Sequence, residues 1–262
     1  MAEDILRKIV EDKQQEIALA KRNFPERMLR EKCSKPRRKR PFFKNLEKPG
    51  PSGINIIAEI KRASPSKGII CADLDPVALA TGYELGGAAA LSVLTDQLHF
   101  KGSPEDLKIA RETTTLPVLR KDFLISAYQI FESAVMEADA ILLIVRILEQ
   151  KQLKDYLSLC DELQMDALVE IHSEDDLEKA TRAGARLIGI NNRNLRSFET
   201  DIDIAIRMRS LLGTDQVAVA ASGIQTREHI EKIKDSGIWN FLIGESLVRS
   251  QNPKDFLRFL QG

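Results

Sequence analysis

The feature that most limits the possible folds of this chain is a pattern repeated eight times between residue 54 and the C-terminus. In each repeat, a short apolar run is followed by a polar loop and then by an amphipathic segment of about helix length. Because strands that alternate with helices usually run in the same direction, the pattern predicts a parallel sheet. The apolar runs centre on Ile57, Leu91, Val118, Leu142, Leu168, Ile188, Val219 and Leu242.

The segments between these runs carry signals for helix starts and stops. Asp75, Ser103 and Asn252 each precede a proline, which suits the first position of a helix. Gly184 and Gly237 lie where two of the helices should end. The predicted helices cover residues 76–85, 105–112, 126–137, 149–163, 173–183, 203–211, 226–235 and 253–260.

Two architectures accommodate strands that alternate with helices. An open doubly wound sheet usually carries a glycine-rich dinucleotide turn after its first strand, and residues 62–66 do not match that fingerprint. Eight repeats in about 210 residues match a closed (β/α)8 barrel instead. We therefore predict an α/β protein: a (β/α)8 TIM barrel over residues 54–262, preceded by an N-terminal helical extension and connection over residues 1–53.

The first 53 residues do not follow the repeat. Residues 2–20 predict an amphipathic helix, because Ile5, Ile9 and Ile17 recur at helical spacing between charged residues. Residues 21–53 are polar and rich in turn formers, and we expect a solvated connection there. A basic run at 35–40 could be a nucleic-acid arm. However, the chain has 39 basic and 39 acidic residues and so lacks the basic surplus that such binding needs.

Whole-chain properties argue against several classes of protein. Three widely spaced cysteines fit neither a disulfide framework nor a zinc site and favour a reducing compartment. No apolar run approaches the roughly 20 residues of a transmembrane helix, and the charged N-terminus has no signal-peptide core. His99, His172 and His229 are not spaced as metal ligands, and we expect solvated or capping roles for them. These properties predict a cytoplasmic protein with no metal, membrane or nucleic-acid partner.

Charged residues end several of the apolar runs, and in a barrel of this kind the chemistry lies at the C-terminal ends of the strands. The first run ends with Glu59 and Lys61, whose spacing of two places them on one face of a strand. Alone, this pair fits a buried ion pair that fixes packing as well as it fits a pocket. Later runs end with Lys121, Glu170 and Asn191. The convergence of five such groups favours a site whose members have shifted pKa values.

The last two apolar runs predict an anion site. They lead into Ser222-Gly223 and into Gly244-Glu245-Ser246, where small residues leave backbone N–H groups accessible. Ordinary tight turns are the alternative interpretation. The barrel context favours phosphate, which often binds at the loops that follow the last two strands of this fold.

The strand-end residues also match a known family. The segment 58–68, AEIKRASPSKG, resembles the first-strand signature of indole-3-glycerol-phosphate synthase. Further matching segments follow in the same order and extend the resemblance over essentially the whole chain. They are 94–96 with Phe100 and 102–103, then 120–123, 169–171, 189–195 and 241–246.

The resemblance implies a carboxy-lyase of tryptophan biosynthesis that uses no cofactor. Such an enzyme converts 1-(2-carboxyphenylamino)-1-deoxy-D-ribulose 5-phosphate into indole-3-glycerol phosphate, CO2 and water. Lys121 would be the general acid at the carbonyl under attack, provided that burial and neighbouring cations lower its pKa. Lys61 would pair with the substrate carboxylate and assist dehydration, and Glu170 would act as base or stabilise cationic charge. Glu59 would hold the lysines, and Asn191 would orient a hydroxyl or a catalytic side chain.

The resemblance also implies a substrate-binding set and one departure from the family pattern. The family usually has a glutamate where this chain has Ala221, which removes a negative charge near the lysines. We expect activity at a reduced or retuned level, and a related substrate is the alternative. The phosphate would contact Arg193, Ser222, Gly223, Gly244 and the backbone of Glu245. The aromatic ring would contact Phe100, Phe123 and Leu195, and Ser64 and Leu242 complete the set.

Two other functions stay open on the sequence alone. One is a barrel phospho-sugar isomerase or a Schiff-base aldolase, in which Lys61 or Lys121 forms an imine. The other is a binding module that kept the barrel without the chemistry. We expect a monomer or a weak homodimer that binds a phosphorylated small molecule.

Overall fold

Eight parallel strands close into a barrel in the computed structural model, which describes residues 5–35, 38–194 and 197–262. Each strand pairs with the next along the chain, and the last pairs with the first, with Asn240 opposite Asn55. This confirms the predicted (β/α)8 barrel, and every predicted apolar run forms one strand. The strands are β1 (Asn55–Ile60), β2 (Ala90–Leu94), β3 (Val118–Lys121), β4 (Ala140–Ile144), β5 (Asp166–Ile171), β6 (Leu187–Asn191), β7 (Val217–Ala221) and β8 (Asn240–Ile243).

Helices surround the barrel and precede it. Capping follows the sequence signals: the Asp75 side chain accepts hydrogen bonds from the N–H groups of Val77 and Ala78, and Ser103 accepts one from Glu105. None of the described helices is long and apolar enough to cross a membrane. The helices are α1 (Ile5–Asn23), α2 (Glu26–Cys33), α3 (Phe42–Leu46), α4 (Pro76–Leu85), α5 (Pro104–Thr113), α6 (Ala127–Val135), α7 (Gln150–Glu162), α8 (Glu174–Ala183), α9 (Asp203–Arg209), α10 (Arg227–Lys234), α11 (Glu245–Arg249) and α12 (Pro253–Gln261).

Alternation along the strands divides the apolar residues into two layers. Ile56, Ala58 and Ile60 of β1 belong to the layer that packs between the barrel and the surrounding helices. Ile57 belongs to the layer that fills the barrel interior. Because successive side chains of a strand point to opposite faces, Glu59 shares the interior face with Ile57. The alternation of side chains along each strand therefore decides which strand-end residues point into the barrel.

The segment 21–53 is not a solvated connection, and that prediction was wrong. It contains the end of α1 and the whole of α2 and α3. Phe42 and Leu46 of α3 are fully buried and pack against the interior cluster at the N-terminal end of the barrel. The α3 backbone is held by Trp239, whose indole N–H donates to the Leu46 carbonyl at 3.0 Å. A barrel filled with apolar side chains must be covered at its N-terminal end, and these residues cover it.

The basic run in this segment is partly used within the molecule. The Arg40 guanidinium donates to the backbone carbonyls of Leu116 and Arg111, both at 2.8 Å. Its backbone N–H donates to the Asp139 carboxylate at 2.9 Å. Residues 36 and 37 lie outside the described residues. Arg40 therefore anchors the segment to the bottom of the barrel.

Candidate active site

One cavity opens at the C-terminal ends of the strands, as the barrel rule predicts. Every predicted site residue within the described ranges lines this cavity, whereas Leu195 lies outside those ranges. The lining set contains Glu59, Lys61, Ser64, Phe100, Lys121, Phe123, Glu170, Asn191, Arg193, Ser222, Gly223, Leu242, Gly244 and Glu245. The structure thus brings together residues contributed by loops and strands around the whole barrel.

The Glu59 carboxylate lies between the two lysines of the cavity. Its Oε1 is 2.7 Å from Lys61 Nζ, and its Oε2 is 3.2 Å from Lys121 Nζ. The side chain is almost completely buried, and burial on its own would raise the pKa of Glu59. The positive charges of Lys121 and Lys61 outweigh that effect and hold the pKa at about 2. Glu59 is therefore an anion at neutral pH, and the ion pair lies inside the pocket.

Lys121 does not meet the condition of a lowered pKa. Burial lowers the pKa of Lys121, but the negative charges of Glu59 and Glu170 raise it by more, and the net direction is upward. Arg193 opposes this only weakly. The expected cation effect is thus outweighed by the two carboxylates, and Lys121 carries its proton at neutral pH.

Glu170 lies beside a buried histidine, His172. His172 was expected to be solvated or capping, but its side chain is 3% exposed, with Nε2 3.6 Å from Glu170 Oε1. Burial lowers the pKa of His172, an effect only partly offset by Glu170. The spacing of two along the strand end is the signal that could have located it, because it repeats the Glu59–Lys61 pattern.

The other two histidines also have partners, and His99, whose side chain is 11% exposed, is not the solvated or capping residue that we expected. His99 Nε2 lies 3.0 Å from Asp12 Oδ2 of α1, and the ring of His229 lies 3.2 Å from the Gly223 carbonyl oxygen. Within the described residues, no group of three or more His, Cys, Asp or Glu side chains is arranged to hold a metal ion.

The loops after β7 and β8 have the backbone geometry of a close-approach site. Ser222 and Gly223 are consecutive residues with positive φ, 69° and 76°. A side chain on Gly244 would collide with the Glu59 carboxylate, so the loop passes directly over that group. Glu245 begins α11 and lines the cavity, and its carboxylate pairs with Arg249 at 3.3 Å.

The β6 loop is tied to the β7 loop by buried amide groups. Asn192 donates through Nδ2 to the Ser222 carbonyl at 3.1 Å. Asn191 accepts the backbone N–H of Arg193 at 3.0 Å, and Arg193 donates to the Phe198 carbonyl at 2.8 Å. These bonds hold Asn191 and Arg193 in the cavity wall.

One side of the cavity is apolar, and it includes residues that the sequence did not predict to belong to the site. The rings of Phe100 and Phe123 lie with their centroids 5.8 Å apart. Ile5, Leu6 and Ile9 of α1 also line the cavity, so the N-terminal helix forms part of its wall. The helical spacing of Ile5 and Ile9 predicted an apolar face, but not the surface that this face covers.

Ala221 ends β7 on the interior face and lines the same cavity. Its register partners are Asn191 on β6 and Leu242 on β8. A methyl group at this position leaves space beside charged residues instead of a further carboxylate. The site therefore contains two ammonium groups and two carboxylates next to an apolar wall. These groups can donate and accept protons, and the wall and the ammonium groups suit an aromatic, anionic substrate.

Comparison with known proteins agrees with this geometry. A family model described as indole-3-glycerol phosphate synthase matches residues 6–260. A protein of that name from Desulfosudis oleivorans is 57% identical over 258 residues, which cover 98% of each chain. A second, from Syntrophobacter fumaroxidans, is 49% identical over 259 residues, covering 99% of this chain and 98% of the relative.

Solved structures at low identity resemble the barrel. The 3-hexulose-6-phosphate synthase of Salmonella typhimurium has a TM-score of 0.64 at 12% identity and covers 79% of this chain and 97% of its own. Thiamine phosphate pyrophosphorylase from Pyrococcus furiosus has a TM-score of 0.59 at 11% identity, covering 80% and 94%. At such identities the likeness extends to the fold alone. The family match across nearly the whole sequence is decisive: this chain belongs to the indole-3-glycerol phosphate synthase family.

Proposed function

We propose that this protein converts 1-(2-carboxyphenylamino)-1-deoxy-D-ribulose 5-phosphate into indole-3-glycerol phosphate, CO2 and water. The observation that carries the proposal is the Lys61–Glu59–Lys121 ion group, which faces Glu170 in a cavity with an apolar wall. The reaction needs one proton donor at a carbonyl, one cation for a carboxylate and one base. The cavity holds a candidate for each of these.

Ring closure forms a bond between the ring carbon that bears the carboxylate and the carbonyl carbon of the sugar. The carbonyl oxygen takes a proton, and we assign its donation to Lys121. An oxygen that develops alkoxide character is more basic than an amine, so a lysine with a raised pKa still donates to it. The raised pKa also ensures that Lys121 is protonated when substrate binds.

Decarboxylation and dehydration complete the indole. Loss of CO2 returns the bonding electron pair to the ring, and the new hydroxyl then leaves as water while a neighbouring carbon loses a proton. We assign Lys61 to the substrate carboxylate and to protonation of the leaving hydroxyl. We assign Glu170 to the departing proton or to the positive charge that precedes its loss. Glu59 keeps both lysines in place, and Asn191 orients a substrate hydroxyl.

The substrate's phosphate is assigned to the loops after β6, β7 and β8. Arg193 supplies a positive charge there, and Ser222, Gly223, Gly244 and the backbone of Glu245 supply polar groups at close approach. The aromatic ring is assigned to Phe100 and Phe123, with Ser64 and Leu242 completing the walls. Leu195 stays a prediction for the ring site.

We propose that residues 54–262 form the catalytic barrel and residues 1–53 an extension that completes it. We also propose a cytoplasmic enzyme that acts as a monomer or a weak homodimer, without a nucleic-acid partner, a membrane partner or a cofactor. Imine chemistry at Lys121 is disfavoured, because its raised pKa leaves almost no neutral amine to attack a carbonyl.

The test is an assay with purified protein and the carboxyphenylamino substrate, in which the fluorescence of the indole product is followed without added metal. We expect turnover by the wild type and loss of at least about 1,000-fold in kcat for Lys121→Ala. Lys108→Ala, at an exposed position of α5, is the matched control and should be as active as the wild type. Substantial turnover by Lys121→Ala would overturn the assigned role, and an inactive wild type would overturn the proposed reaction.

A further inference from the structure

The N-terminal helix carries a buried lysine. Lys13 of α1 is 1% exposed, and its Nζ lies 3.1 Å from Asp96 Oδ2 and 2.9 Å from Asp122 Oδ1. Both aspartates are as deeply buried as the lysine, and Glu16 adds a contact at 2.9 Å from the same helix. Lys13 therefore joins the extension to the loops after β2 and β3.

Asp96 organises the loop that carries one aromatic wall residue. Its Oδ1 accepts the backbone N–H groups of His99 and Phe100, at 2.8 and 3.0 Å. In the described part of the chain, Lys13 is the one cation paired with Asp96. The lysine thus balances the charge of the carboxylate that holds the Phe100 backbone.

Asp122 holds the backbone of the second aromatic wall residue, Phe123. Its Oδ1 accepts the backbone N–H of Phe123 at 2.8 Å, and its Oδ2 accepts the Thr95 hydroxyl at 2.7 Å. Arg120 contributes a second cation at 3.2 Å from Oδ2. Asp122 therefore keeps the contacts with Arg120 and Thr95 even when Lys13 is absent.

The ammonium group of Lys13 is a costly way to attach a helix. Burial lowers the pKa of Lys13, yet the charges of Asp122 and Asp96 raise it above its ordinary value, so the group stays charged. Taking three charges out of water costs free energy that apolar side chains would avoid. The apolar face of α1, with Ile9 and Ile17 buried, already supplies attachment by packing. The ion group therefore contributes less to the attachment of α1 than to fixing the positions of Asp96 and Asp122 relative to the helix.

We propose that Lys13 is a positioning residue for the reaction, which sets Phe100 and Phe123 as the wall for the substrate ring and seats α1 over the cavity. This rests on the proposed function, because the ring is the aromatic part of the proposed substrate. Ile9, one helical turn before Lys13, lines the cavity directly. Loss of the lysine should therefore loosen three parts of one wall together: the Phe100 loop, Phe123 and α1.

The experiment compares Lys13→Met with Lys8→Met, a substitution at an exposed position of the same helix. If the wall contacts the ring equally well in the bound substrate and in the transition state, its loss weakens substrate binding and leaves the rate of the chemical step unchanged. We therefore expect KM to rise about tenfold or more for Lys13→Met, while kcat changes by less than about threefold. Lys8→Met should leave both constants unchanged. An unchanged KM in a folded Lys13→Met protein, or equal effects in the two variants, would overturn the proposal.

Lys13→Met removes a cation shared by two buried carboxylates, Asp96 and Asp122, and a failure to fold would hide the role of Lys13. The double variant Lys13→Met/Asp96→Asn removes one of those charges and keeps an Oδ1 that accepts the His99 and Phe100 N–H groups. Its Phe100 loop should stay ordered, so we expect it to recover part of the lost KM. If the double variant binds substrate as poorly as the single one, the positioning role through Asp96 is wrong.

Amide hydrogen exchange separates this proposal from the proposed reaction, because it needs no turnover. We expect residues 97–103 to exchange at least about tenfold faster in Lys13→Met than in the wild type, with no change in Lys8→Met. An inactive wild type that still shows this difference would reject the reaction and support the positioning role. Equal exchange in all three proteins would reject the positioning role whatever the activity.

Discussion

The Glu59 carboxylate and the Lys121 ammonium lie 3.2 Å apart inside the barrel, and both line the cavity. Their attraction raises the pKa of Lys121 and, together with the positive charge of Lys61, lowers the pKa of Glu59 to about 2. Each group thereby fixes the charge state of the other across the neutral pH range. The same carboxylate holds Lys61 through its second oxygen.

Glu59→Gln should move the pH dependence of turnover to lower pH. The glutamine carries no negative charge, so the pKa of Lys121 loses its strongest upward influence and falls. The alkaline limb of kcat, where Lys121 loses its proton, then shifts to lower pH. We also expect kcat at pH 7 to fall by about 100-fold, because the neutral amide no longer holds the two lysines in place. Full pH–rate profiles measure this. Glu105→Gln, at an exposed site, is the control, and a profile of wild-type shape in Glu59→Gln would contradict the assignment.

Glu59 should also contribute to acid sensitivity of the fold. Its pKa is about 2 in the folded chain against an ordinary value of 4.5, so the folded state binds its proton less readily than the unfolded state. The stabilisation, about 3 kcal/mol, is complete above pH 4.5 and is lost as the pH falls towards 2. Urea unfolding at several pH values measures it. Glu59→Gln should show a smaller loss of stability between pH 5 and pH 3 than the wild type does.

His172 should make the fold less stable as the pH falls through 6.5, its ordinary pKa. The native protein, in which the pKa is lowered, resists a proton that the unfolded chain accepts. The free energy of unfolding therefore falls, at most by about 1.4 kcal/mol per pH unit for this one proton. Glu170, Asp176 and Arg146 are the charged groups that influence the ring. Urea unfolding of His172→Gln between pH 7 and pH 5 should lack this component, and a slope equal to that of the wild type would contradict it.

Gly244→Ala should damage the site through steric contact. The new methyl group would meet the Glu59 carboxylate, which has no free space because it is held by both lysines. We expect kcat/KM to fall at least about tenfold, with a modest loss of stability. Gly82→Ala on α4 is the control, because its methyl group meets no neighbour within 4 Å. That control should be active and more stable by about 0.5–1 kcal/mol.

Phe42→Ala should destabilise the barrel without altering the chemistry. The ring is fully buried at the end of the barrel opposite the cavity, and its removal leaves a void that the strands cannot fill. We expect a loss of about 3–5 kcal/mol in the free energy of unfolding. Phe259→Ala, at a residue that is 59% exposed, should cost far less. Denaturant unfolding measures both, and equal stabilities would show that α3 does not close the barrel.

Much of the candidate site was predictable because the barrel translates sequence position into spatial position. Strands of one direction bring their C-terminal ends to one rim, so residues that end different apolar runs must meet there. Alternation then selects Glu59, Lys121 and Glu170 as interior residues. The departure at Ala221 came instead from the family resemblance, and the structure places this residue at the end of β7 on the interior face.

Local patterns in the sequence thus determined the barrel, its helices and the residues that gather at its rim, since periodicity and strand ends are properties of neighbouring residues. The tertiary structure alone decided the rest: the burial of Lys13 against Asp96 and Asp122, the closure of the barrel by Phe42, and the upward shift of the Lys121 pKa. Each of these results depends on contacts between residues distant in the chain. Burial and charge balance are set by such contacts, and no local pattern encodes them.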